Sequence, residues 1–89
     1  MTENEMLLAM VKIDLQITTT AYDERLTQLI TAAKSMIERE GITLNMTSME
    51  DCNLVIMYAA YLWRKRDTTE EMPRMLRYAM NNRLFSQNM

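Results

Sequence analysis

The sequence predicts an all-α protein: a compact bundle of four helices, over residues of about 3–14, 21–40, 49–66 and 70–84, joined by short loops. Three observations predict it. Apolar side chains recur at three- and four-residue steps through these segments. The one glycine, Gly41, and the one proline, Pro73, fall where a helix stops and where a helix starts. The chain has 89 residues, room for one small domain spanning residues 1–89, with no internal repeat, low-complexity stretch or linker to suggest a second.

The first helix opens on Thr2 and Glu5, which have capping-box spacing, and Leu7, Leu8, Val11 and Leu15 form its apolar face. Residues 16–20 read as a loop, because Thr18, Thr19 and Thr20 compete with helix through their hydroxyls. The second helix carries the clearest stripe: Tyr22, Leu26, Leu29, Ile30, Ala33 and Ile37. Asp23 and Glu24 favour its positive end, and Gly41 supplies a left-handed stop. In the 42–48 loop, Ile42 and Leu44 are placed to dock on the core, and Ser48 with Asp51 forms a second cap-like pair.

The third helix has a core stripe of Cys52, Val55, Ile56, Ala59, Leu62 and Trp63, widened by Met57, Tyr58 and Tyr61. A helix apolar on most of its circumference is covered on several sides. A chain this small offers little protein to cover it, so a partner is expected on one side. Asp67–Thr69 then connects to the last helix, with Thr68 or Thr69 as cap and Pro73 in the first turn. Met75, Leu76, Ala79 and Met80 are expected on its inner face, Arg74, Arg77 and Arg83 outside, and residues 86–89 as a loose tail.

Composition bears on function by exclusion. There is no His, hence no imidazole base or ligand, and one Cys, hence no internal disulfide or thiolate zinc cage. A single Gly cannot build a phosphate-cradling loop. The carboxylates come as neighbours, Asp23-Glu24, Glu50-Asp51 and Glu70-Glu71, and adjacent helical residues do not face each other. Cys52 reads as a small packing residue with no base to activate it. These observations point away from an enzyme and imply no metal and no cofactor. The eleven Met residues suit a core or a surface that repacks against neighbours.

Net charge is −2, but residues 1–63 carry four basic and nine acidic side chains, whereas residues 64–89 carry six basic and three acidic ones. The basic end either faces nucleic acid or an acidic partner, meets the acidic body of the next copy, or is simply solvated. Arg64, Lys65 and Arg66 close the third helix, where they also suit the dipole. The 42–48 loop is longer than a helix-turn-helix turn, which disfavours sequence-specific DNA reading. The longest apolar run, Leu54 to Trp63, is ten residues, too short for a membrane span. A lone Cys and an acidic N-terminus without a leader pattern suggest a reducing cytoplasm.

Tyr22-Asp23-Glu24-Arg25-Leu26, with Leu29-Ile30, Ala33, Ile37 and the Gly41-Ile42 stop, resembles the second helix of bacteriophage head–tail connector proteins. These are the small all-helical adaptors of tailed phages and Gram-positive prophages. Leu54-Val55-Ile56, Tyr58-Ala59, Leu62, Arg64 and Arg66 resemble the third helix of that family. Met72-Pro73-Arg74, Leu76-Arg77, Asn81 and Leu84 resemble its closing helix. The resemblance spans residues of about 7–85 and rests on loose apolar patterns in a consistent order.

It implies a structural assembly protein of the virion, made in the host bacterial cytoplasm. Such proteins form a ring, dodecameric on the portal, that docks under the capsid portal and extends the DNA channel. The ring offers a platform for the next head-completion or tail protein, and DNA passes through without sequence-specific binding. No catalytic residues are implied. Ring or partner contacts are nominated at Tyr22, Arg25, Arg64, Lys65, Arg66, Arg74 and Arg77. The alternative is a small helical DNA-binding packaging or regulatory protein using the basic end.

Overall fold

Thr2 opens the first helix with one half of the expected capping box: its Oγ1 accepts the Glu5 backbone N–H at 3.1 Å. A computed structural model describes residues 2–65 and 71–88. They fold as an all-α four-helix bundle of α1 (Glu3–Leu15), α2 (Asp23–Arg39), α3 (Met49–Lys65) and α4 (Arg74–Gln87). Helix α1 ends on Gln16, which takes the left-handed conformation at φ 59° while Ile17 N–H bonds the Lys12 carbonyl at 2.9 Å.

Helix α2 begins at Asp23, two residues later than the stripe suggests. The Thr19 hydroxyl accepts the Ala21 N–H at 3.4 Å and the Asp23 N–H turns back to the Thr20 carbonyl at 3.2 Å. The threonine run therefore keeps the chain in a turn up to Tyr22. Leu26, Leu29, Ile30, Ala33 and Ile37 are all buried, whereas Tyr22, outside the helix proper, is exposed. Ion pairs at 2.8 Å, Lys12 to Asp23 and Lys34 to Glu3, tie α1 to α2.

Gly41 stops α2 with φ +97°, its N–H on the Glu38 carbonyl at 3.0 Å. A Cβ there would meet only Leu84 Cδ1, at an ordinary 3.6 Å. The penalty for Gly41→Ala is therefore backbone strain and not crowding. We expect a loss of about 1–2 kcal/mol, read from the urea midpoint.

Helix α3 is the centre of the bundle and packs against each of the other three helices. From Asp51 to Tyr61, all but Asn53 and Met57 are buried. This corrects the premise that so small a chain offers little protein to cover the helix. The chain's own α1, α2 and α4 enclose it, together with Ile42 from the preceding loop. One strip, along Asn53, Met57, Ala60 and Arg64, opens between α1 and α4 as three clefts of about 390, 280 and 240 Å³. Trp63, expected in the core, is half-buried at its edge.

Helix α4 departs most from expectation. It starts at Arg74, with Pro73 as its cap at φ −56° and ψ 140°, instead of holding Pro73 in its first turn. A proline disfavours helical backbone in the residue before it, so Met72 stays outside. The proposed caps Thr68 and Thr69, and Arg66, lie outside the described residues. At the other end the helix runs on to Gln87, so residues 86 and 87 belong to α4 and not to a loose tail. Gln87 is tied down: its Nε2 donates to the Gly41 carbonyl at 2.8 Å and its Oε1 accepts the Thr43 N–H at 2.6 Å. Leu76 and Met80 are buried as expected, but Met75 is 73 % exposed. The methionines divide in the same way: Met46, Met57 and Met72 are half-buried, and Met36 and Met49 exposed.

Candidate interface at the bundle end and the α4 clasp

The start of α2 and the end of α3 meet. The Tyr22 and Trp63 rings contact edge to face, centroids 5.3 Å apart and planes at 74°. This brings Tyr22 beside the turn that carries Arg64 and Lys65. The Lys65 ammonium sits 5.6 Å from the Tyr61 ring centroid, a cation–π placement. Arg25, in the first turn of α2, donates from Nη1 to Gln28 Oε1 at 3.4 Å. Arg64 lines the 240 Å³ cleft together with Asp14, Pro73 and Met75, and the last two flank Arg74 in sequence. Tyr22, Arg64 and Lys65, scattered over more than forty positions, thus share one end of the bundle with the start of α4.

Arg77 is placed elsewhere. Its Nη1 bonds Glu40 Oε1 at 2.9 Å, joining α4 to the end of α2 and neutralising its charge. Arg83, expected outside, turns inward. Its Nε donates to Asp51 Oδ1 at 2.6 Å, and its Nη2 to Asp51 Oδ2 at 3.1 Å and to the Thr43 carbonyl at 2.8 Å. Asp51 is 1 % exposed and also accepts the Asn45 N–H at 2.7 Å. Its carboxylate therefore caps the loop and grips α4, and it does not form the expected pair with Ser48.

Burial alone would raise the Asp51 pKa. The hydrogen bonds from Arg83 and from the Asn45 N–H, with the guanidinium charge, outweigh it and hold the carboxyl below its ordinary value. The hydrogen bond to Asp51 likewise outweighs desolvation and raises Arg83. Cys52, next in sequence, is buried, with Sγ donating to the Met46 carbonyl at 3.2 Å. Burial first, then the charges of Glu3 and Asp51, push its thiol up, away from the reactive thiolate.

Sequence reasoning passed over this clasp, yet a signal was present. Asp51, Leu54, Val55 and Tyr58 lie at i, i+3, i+4 and i+7, so an acid shares an apolar face, and a buried acid needs a partner. Among the described residues, no group of three His, Cys, Asp or Glu side chains is disposed to hold a metal ion, and no helix is long and apolar enough to cross a membrane. Compared with protein-family models, curated proteins and solved structures, the chain matches none of them.

Proposed function

We propose that the chain is a non-catalytic virion assembly protein, a head–tail connector that forms a ring beneath the capsid portal. The ordered resemblance over residues of about 7–85 carries this reading. The geometry supports it by gathering Tyr22, Arg64 and Lys65, nominated as contact residues, at one end of the bundle with Trp63. Arg25 lies one turn away, and Arg74 borders the same end through its neighbours Pro73 and Met75. A surface confined to one end suits a contact repeated head-to-tail around a closed ring. The ring extends the DNA channel, seats the next head-completion or tail protein, and works by shape and charge, with self, portal and that protein as partners.

A DNA-binding protein using the basic end is the second reading. It loses cations to internal pairs, since Arg77 is engaged by Glu40 and Arg83 by Asp51. Salt-sensitive phosphate binding scales with the cations left to face DNA. Negative-stain microscopy of the protein mixed with purified portal tests the first reading: a ring on the portal, weakened by Arg64→Glu, is expected. Failure to bind portal at any concentration overturns it. A low-salt gel shift with DNA tests the second, and a strong shift there would replace the connector assignment.

A further inference from the structure

Helix α4 carries a second apolar stripe on the side away from the core. Met75, Tyr78 and Phe85 are 73, 57 and 71 % exposed, and Asn82 between them is exposed as well. The steps 75, 78, 82, 85 are the three-four-three spacing of a helix–helix seam, with a single amide at one seam position. Leu76 and Met80 hold the opposite face in the core, so rotating the helix cannot bury this stripe.

The charges of α4 single out the occupant. Helices α1, α2 and α3 each have acidic side chains in the first turn and basic ones in the last. Helix α4 has neither, and Arg74 sits at its positive end. Arg74 is exposed and makes no ion pair among the described residues. A second α4 laid antiparallel sets Arg74 near the negative, cation-free end of its neighbour. A parallel pair sets Arg74 against Arg74 and like dipole ends side by side.

The seam is also self-complementary about its midpoint. Antiparallel pairing places Met75 against Phe85, a sulfur–aromatic contact, and Tyr78 against Asn82, a phenol opposite an amide. We propose that the outer face of α4 is a self-association seam, occupied by α4 of a second copy in antiparallel register.

The three apolar side chains offer on the order of 400 Å² per copy, about half of the ~800 Å² per partner in a standard stable interface. Pairing is therefore weak and concentration-dependent. Met75 and Asn82 also rim the clefts over α3, which lets the second helix gain contacts there. This two-fold pairing differs from the head-to-tail ring contact and does not depend on it.

The test uses the full chain with one added cysteine, because the native Cys52 is buried. Met75→Cys and Phe85→Cys copies, one carrying a mass tag, are mixed and oxidised with copper phenanthroline. The mixed disulfide is expected several-fold above either homodimer. Homodimers equal to or exceeding it, or no disulfide at millimolar protein, overturn the proposal. In parallel, Tyr78→Glu is expected to abolish the concentration-dependent rise in sedimentation coefficient while leaving helical circular dichroism unchanged. Undiminished association in that variant also overturns it. Ring formation on portal without these cross-links removes the seam and leaves the connector function standing.

Discussion

Arg83→Ala is expected to lower stability by about 3–5 kcal/mol, a large part of what an 89-residue domain holds. The reason is asymmetric. The guanidinium makes two of the three hydrogen bonds to a carboxylate that is 1 % exposed and supplies its countercharge, so its loss strands a charge and does not merely delete a contact. It also releases the Thr43 carbonyl and loosens α4 from the 41–47 loop. Urea unfolding followed by circular dichroism measures the loss. The double replacement Asp51→Leu with Arg83→Met removes both charges and is expected to be less damaging than Arg83→Ala alone. If the double variant is the weaker of the two, the stranded charge is not the cause.

Acid separates these cases further. In the native protein Asp51 is held below its unfolded pKa, so the pair contributes its full stability above the ordinary carboxylate range. That contribution is lost as pH falls through the lowered folded value. In Arg83→Ala the guanidinium is gone and burial, which raises the pKa, is opposed only by the Asn45 N–H. The variant's Asp51 then takes up a proton more readily in the folded state, and the variant gains relative stability on acidification. The gap between native protein and variant is expected to narrow from pH 7 to pH 3. A gap constant with pH would mean that Asp51 is not the group left unpaired.

Much of the fold was legible because one-dimensional signals decide it. The buried stripe of α2, the Gly41 stop and the Thr2 cap each follow from a local pattern, and each stands where that pattern puts it. The misplacements have separate causes. Pro73 acts on the residue before it, so a proline read as first-turn marks the position just outside. Met75 and Arg83 exchange their expected sides because hydropathy ranks a methionine as interior and an arginine as exterior. For Arg83 a pairwise demand, the buried Asp51, overrides that ranking. The cover on helix α3 is not legible in the sequence, because no local pattern shows that three helices of one small chain surround a fourth. Of the nominated contact residues, Tyr22, Arg64 and Lys65 converge because α2 and α3 meet at Trp63, a tertiary fact no spacing encodes.

The open strip of α3 makes a second large effect predictable by contrast. Leu26 is fully buried, whereas Leu54, 2 % exposed, lines the 390 Å³ cleft with Met57 and Ala79. Leu26→Ala leaves a cavity whose walls are held on every side, and a loss of about 4 kcal/mol is expected. Leu54→Ala opens its void toward a cleft that water reaches and that Met57, a flexible half-buried side chain, can refill. A loss nearer 2 kcal/mol is expected there, with an unchanged denaturant slope in both variants. The difference is a property of the cleft and not of the leucines, since both lose the same atoms. Equal losses would mean that the strip between α1 and α4 is sealed in solution, and α3 would then present no open face to a neighbour.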